Sequence, residues 1–305
     1  MKNFIRRLGN YIFSNSMTEL REEVRQNRML MGKLMASQVM AVSDDIYEAE
    51  FKVFSQNGED GILQYLIRNI AIENDVFVEF GVSNYQEANT RFLLMNNNWK
   101  GLVLDGSSEN INSIKKEELY WKHDLTAEQH FITKDNINSI ISGAGISDDI
   151  GLLSVDIDGN DYWVWQAIDG VKPRIVVCEY NSVFGCDHPI SVPYDEKFQR
   201  AQAHHSCLYF GASLPALCHL AEQKGYDFVG SDSTGINAFF VRSDLDHGMK
   251  KLTAKEGYVK SRHRESRDAQ GNLTFVSGDA RIGLIADMDV VNVMNNDVLT
   301  LGSIA

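Results

Sequence analysis

The stretch from Val76 to Asp105 constrains this chain most. It runs Val76-Phe77-Val78-Glu79-Phe80-Gly81-Val82, a polar turn, a helical segment Arg91–Asn97, and then Gly101-Leu102-Val103-Leu104-Asp105. Two short apolar runs around a helix predict a strand–helix–strand unit, and such units build parallel sheets. Ligands of open parallel sheets sit beyond the carboxyl ends of the strands. There Gly81, lacking a Cβ, lets backbone come close to a ligand, and Asp105 can accept hydrogen bonds from ribose hydroxyls. The plainer alternative is a buried unit whose acids only cap helices.

The pattern recurs. Tyr120–Leu125 reads as a third strand with Asp124 at its end, followed by a helix around Asp135–Ile141. Ile150–Val155 reads as a fourth, running into Asp156-Ile157-Asp158-Gly159-Asn160-Asp161, and Pro173–Asn181 as a fifth. Glu79, Asp105, Asp156 and Glu179 therefore fall at equivalent strand ends, which capping alone explains poorly. Asp156, Asp158 and Asp161 repel one another unless neutralised. A divalent cation (Mg²⁺ or Mn²⁺) on Asp156, Asp158, Asp161, Glu179 and Asn181 is one solution. The other is one acid capping the helix from Tyr162, one on a turn and one in solvent. An EF-hand is excluded, because no terminal Glu follows at the required position. Tyr226–Gly230 and Asn237–Arg242, joined by Ser231–Gly235, predict an antiparallel hairpin. The fold class expected is α/β, Rossmann-like: a mostly parallel sheet ending in that hairpin, as in class I methyltransferases.

Ahead of this lies a heptad seam. Phe13, Met17, Leu20, Val24, Asn27, Met31, Leu34, Gln38 and Ala41 alternate in steps of four and three, with mixed charge around them. Either a helical extension builds a homo-oligomer, or a long helix folds back on its own domain. Ser43-Asp44-Asp45 carries N-capping residues and marks the boundary, giving an extension 1–43 and an α/β domain 44–305. Met1–Phe13 mixes Lys2, Arg6 and Arg7 with apolar residues, which fits an amphipathic helix on its own protein or, at most, peripheral membrane contact.

Charge and cysteines narrow the class. The net charge is −13, which argues against nucleic-acid binding. Cys178, Cys186, Cys207 and Cys218 are not in CxxC spacing, and no apolar run spans a bilayer, so reduced thiols in a cytoplasmic protein are expected.

Ser55 is placed to cap a helix carrying Ile62, Leu63, Leu66, Ile67 and Ile70, with Gln56 and Glu59 projecting from its first turn as a cleft wall or as plain capping groups. Ser182–Ser206 reads as a long loop that includes His204-His205, each a candidate base or metal ligand or an ordinary packed histidine. The stretch Tyr209–Leu214 starts a helix with Leu214, Leu217, Leu220 and Ala221 on its apolar face, and Gly225 ends it. The run Lys250, Lys251, Lys255, Lys260, Arg262, Arg264, Arg267 is either an anion-receiving patch or a solvated face. Phe275–Ala305 has apolar alternation but no assigned place.

Ser55-Gln56-Asn57-Gly58-Glu59-Asp60-Gly61-Ile62, Phe77–Gly81, Asn89-Thr90, Trp99–Leu102, Asp105 and Ser154–Gly159 together resemble the FkbM-like family of S-adenosylmethionine-dependent methyltransferases, over roughly residues 51–242. The resemblance implies an O-methyltransferase acting on a sugar or sugar-phosphate hydroxyl in capsule or other surface-glycan synthesis, with a small nucleotide-sugar or phosphorylated acceptor. It matches Glu79 and Gly81 to the first cofactor motif, Asp105 to the ribose acid and Asp156 to the acid after the fourth strand. The usual glycine-rich loop is replaced after Gly81 by Ser83-Asn84-Tyr85-Gln86. The candidate cofactor residues are Gln56, Glu59, Glu79, Gly81, Val82, Asn89, Thr90, Asp105, Gly106, Asp124 and Asp156. The candidate catalytic residues are Asp156, Asp158, His204 and His205. Two other classes compete: a non-catalytic scaffold recruited through the helix, and a dinucleotide-dependent oxidoreductase, against which the missing GxGxxG pattern speaks.

Overall fold

The computed structural model describes residues 2–39 and 45–304, and of residues 2–15 and 18 the backbone alone. The side-chain pattern of Met1–Phe13, the seam residue Ala41 and the boundary residues Ser43 and Asp44 lie outside the described residues. Among the described residues, no helix is long and apolar enough to cross a membrane.

The chain is α/β. Strands β1 (Val76–Phe80), β2 (Lys100–Asp105), β3 (Leu125–Gln129), β4 (Asp148–Val155), β5 (Val171–Glu179), β7 (Tyr226–Ser231) and β8 (Asn237–Arg242) form a sheet in the order β3-β2-β1-β4-β5-β8-β7. β1 to β5 are parallel, while β8 runs antiparallel to both β5 and β7. This is the expected Rossmann-like arrangement, with the hairpin closing one edge. Side chains alternate across the sheet: Val78 and Phe80 enter one core, Phe77 the other. Both faces are covered, so the central strands read as continuous apolar runs.

The helices are α1 (Lys2–Gln38), α2 (Glu59–Asn69), α3 (Arg91–Asn96), α4 (Ser108–Lys116), α5 (Glu118–Lys122), α6 (Ile137–Gly143), α7 (Asp161–Ala167), α8 (Arg200–Ala203) and α9 (Leu214–Lys224). α9 ends at Gly225 as its sequence predicts, and it begins only at the last residues of the expected Tyr209–Leu214 start. Ser213 caps the backbone N–H of Ala216, and Gly225 takes a left-handed φ of 79°.

Three expectations are corrected. α2 starts after Gly58 rather than directly after Ser55; the Ser55 hydroxyl still accepts from the Asp60 backbone N–H in the first turn at 3.1 Å, while the Asp60 carboxylate folds the preceding loop onto itself. One oxygen of Asp60 accepts from the backbone N–H groups of Val53, Phe54 and Ser55 and from the Ser55 hydroxyl. The third strand is one segment later than expected, because Glu118–Lys122 is helical. The segment Ser182–Ser206 is not a bare loop. Its strand β6 (Ile190–Ser191) pairs with β9 (Asp289–Asn292), which pairs with β10 (Val298–Thr300). The unplaced tail thus supplies a small second sheet, packed through Ile190, Val192, Leu208, Ile285, Val290 and Leu301.

Candidate active site

The parallel strands deliver their carboxyl ends to one edge, and three hollows open there. The first, about 320 Å³, is bounded by Gly81, Ser83, Asp105, Gly106, His130–Ile132, Asp156–Asp158, Asn160 and Phe198. The second, about 390 Å³, shares Gly81, Ser83, Asp156 and Asp158 with the first and adds Gln56, Glu79, Val82, Asn89 and Asn237. The third, about 90 Å³, lies over the β5 end between Glu179, Arg200, Phe210, His263 and Arg281, and Gln56 reaches it too.

Asp105 forms the outer wall of the first hollow. One oxygen accepts from the Ser83 backbone N–H at 2.8 Å, the other from the Ser107 N–H at 2.8 Å and the Asn110 amide at 3.0 Å. These contacts fix the carboxylate and use three of its four lone pairs, which leaves one acceptor site, on the oxygen that faces Ser83. Gly81 has a φ of 68°, and a Cβ there would lie 1.8 Å from the Asp156 carbonyl oxygen. The glycine is therefore needed for the meeting of two strand-end loops, rather than only for approach to a ligand.

Glu79 is buried and turned toward the start of α3. Its oxygens accept from the backbone N–H of Asn89 at 2.8 Å and of Thr90 at 3.1 Å, and from the Thr90 hydroxyl. Asn89 in turn donates to Ser154 on β4. Glu79 holds the rim of the second hollow in place, and burial raises its pKa to about 7. The loop that replaces further glycines is built differently: Arg91 binds the Tyr85 carbonyl and Glu117, and stacks over Phe54 and Tyr85. Thr90 and Glu59 are buried behind the hollows, Glu59 against Asn57 and Asn237.

Asp156, Asp158 and Glu179 converge, each offering a carboxylate oxygen within 4.8 Å of the others. Burial, then the neighbouring carboxylates, push Asp156 and Glu179 well above the usual range. Arg200 answers this charge. Its guanidinium donates to Asp158 at 2.6 Å and to the Cys207 carbonyl at 2.7 Å, and lies 3.8 Å from the Phe210 ring centre. Burial works against the charge on Arg200, but Glu179 and Asp158 hold its pKa above the ordinary value. Among the described residues, one Glu179 oxygen is buried with no hydrogen-bond partner.

Several expected site residues fall elsewhere. Asp161 is no ligand: its oxygens accept from the backbone N–H groups of Ile157 and Gly159, closing the loop after β4. Asn181 borders the third hollow, but its side chain is spent on Leu208, Phe210 and Val183. Asp124 precedes β3, so it lies at the amino edge of the sheet, beside Lys100 and Gly145. His204 bonds to Ser206, its ring stacks near His205, and neither lines the three hollows. The basic run is largely paired with acids: Lys250 with Glu256, Lys251 with Asp227, Lys255 with Asp187, Lys260 with Asp279 and Arg267 with Glu265.

Sequence reasoning missed His130, Phe131 and Ile132, because Leu-Thr-Ala-Glu-Gln is a weak strand signal with only two buried positions. It missed Arg200 because nothing in the sequence links that residue to Asp158.

No family model and no curated protein matches the sequence. Solved structures similar in fold include the N-terminal domain of EvdMO1 with SAH bound, at 10% identity over 72% of this chain and 94% of that one, with a TM-score of 0.41. A S-adenosylmethionine-dependent methyltransferase from Clostridium acetobutylicum ATCC 824 is 9% identical over 66% and 92%, with a TM-score of 0.38. A SAM-dependent methyltransferase from Aquifex aeolicus is 8% identical over 69% and 98%, with a TM-score of 0.36. At these values the residues of the site, and not the likenesses, carry its chemistry.

Proposed function

We propose that this chain is an S-adenosylmethionine-dependent O-methyltransferase for a sugar or sugar-phosphate hydroxyl in surface-glycan synthesis. One observation carries the reading: the hollow walled by Asp105 and the hollow rimmed by Asn89 share Asp156 and Asp158 as a common floor. In this reading adenosine occupies the first, with its ribose on Asp105 and its base against Phe131 and Ile132, and the methionyl group occupies the second. The sulfonium then lies over the acidic floor. The acceptor enters from the side of Glu179, Arg200 and His263. Gln56, Asn181, Ser182 and Ser261 give that entrance a polar lining suited to a hydroxyl-rich ligand.

Methyl transfer needs in-line placement and removal of the hydroxyl proton. S-adenosylmethionine, when bound, would supply the methyl to the acceptor oxygen and leave as the neutral thioether, and Asp156 or Glu179 would take the hydroxyl proton. The floor favours the cationic cofactor over its neutral product, which aids product exchange more than the chemical step, since only contacts stronger in the transition state accelerate it. The unpartnered Glu179 oxygen and the convergent Asp156 and Asp158 also fit a hard divalent cation. Such a cation, when bound, would lower the acceptor hydroxyl's pKa.

The test is thermal. S-adenosylmethionine should raise the melting temperature of the chain, and Asp105→Ala should abolish the rise. An unchanged wild-type curve at saturating cofactor rejects the reading. Full turnover in excess EDTA rejects the cation.

A further inference from the structure

α1 has two different sides. Arg25, Met29, Gly32, Ala36 and Val39 are buried or half-buried, and the last turns dock on the α/β domain. Ala36 and Met29 pack with Val53, Phe54 and Phe92. Gly32 allows this approach, because a Cβ there would stand 2.7 Å from Val53 and 2.9 Å from Phe92. At 100° per residue, the heptad seam falls on the opposite side of the helix. Leu20, Val24, Met31 and Leu34 on that side are 52%, 52%, 67% and 64% exposed. The helix is thus already packed on its own domain by its back, and its seam points away.

We propose that this outward seam is the interface of a parallel, two-stranded coiled coil between two copies of the chain. With Val24 at an a position, Leu20 and Leu34 fall at d, a combination that favours two strands. In this assignment Gln38 falls at a and Asn27 at d, and a polar residue at an a position favours one register. The flanking positions choose the direction. Glu23 is at g and Arg28 is the e position that meets it on a parallel partner; one Arg28 nitrogen donates to its own Val53 carbonyl at 3.3 Å, and the remaining guanidinium N–H groups pair with Glu23 of the second copy, twice by symmetry. The next such pair is Leu30 with Met35 of the second copy, which explains why these two residues are 61% and 40% exposed beside the seam. An antiparallel pairing would instead set Arg21 and Arg28 against arginines and lose both matches. Both α/β domains then stand on the outside of the pair, on the backs of the two helices. The inference does not depend on the methyltransferase reading.

The full chain should have twice the monomer mass by light scattering. Val24→Asp with Leu34→Asp, both at exposed positions, should give a monomer whose α/β domain melts as before. Leu34→Cys should form a disulfide-linked dimer on oxidation, and Gln26→Cys, on the outer flank, should not. Glu23→Arg should weaken the dimer about tenfold at low salt, turning two attractions into two repulsions. A monomeric wild type, or a trimer or tetramer, overturns the proposal. A dimer whose Leu34→Cys variant does not cross-link overturns the parallel direction.

Discussion

A Cβ on Gly81 would stand 1.8 Å from the carbonyl oxygen of Asp156, so the loops that end β1 and β4 meet backbone to backbone. This contact joins the two halves of the cleft floor. It also brings the Asp156 carboxylate to the boundary between the two larger hollows.

Gly81→Ala should therefore cost about 3 kcal/mol or more, combining a left-handed backbone penalty with forced separation of the loops. Urea unfolding measures the stability, and S-adenosylmethionine binding by calorimetry should be lost even at temperatures where the variant stays folded. A variant as stable as wild type would show that the loops do not meet.

Glu79 makes stability depend on pH. Its pKa rises from the model-peptide 4.5 to about 7 on folding, mainly through burial. The folded chain thus binds more protons than the unfolded chain between these values. The stabilising contribution is whole below pH 4.5 and is lost as pH rises through about 7, on the order of 3 kcal/mol. Glu79→Gln should flatten that part of the stability–pH curve, measured by denaturant unfolding at a series of pH values.

Arg200 should set the pH at which the acidic floor works. Arg200→Gln removes the cation facing Asp158 and Glu179, so the already raised Asp156 and Glu179 rise further. The proton acceptor is then free only at higher pH. The ascending limb of the kcat/KM profile should move to higher pH, with at least a tenfold loss at neutral pH. A profile that falls in height without shifting would limit Arg200 to packing on Phe210.

His204→Ala and His205→Ala should each leave kcat within about twofold of wild type, because neither ring reaches the hollows and ordinary surface substitutions perturb little. A loss of two orders of magnitude in either variant would return the base to this pair.

Much of the fold was legible along the chain. Apolar runs of strand length, a glycine or acid at their ends, the Gly225 cap and the Asn237 hairpin are local signals, set by backbone geometry and side-chain period. β3 was misplaced because its position depends on pairing with β2, which supplies the partners that a weakly apolar segment lacks on its own. The tail was unreadable for the same reason, since β9 is held by β6, from a segment nearly a hundred positions earlier.

The sequence by itself determined that acids would gather at the carboxyl edge of a parallel sheet, because alternation and strand length are properties of short segments. Only the tertiary structure decided which acids face the cleft. Asp156, Asp158 and Glu179 meet there, while Asp161 and Asn181 turn to backbone groups and Asp124 lies at the other edge. That division depends on unsatisfied N–H and C=O groups brought close by folding, and on a guanidinium 42 positions from Asp158. A buried polar group must be paired wherever the chain happens to bring it, and no local pattern records with what.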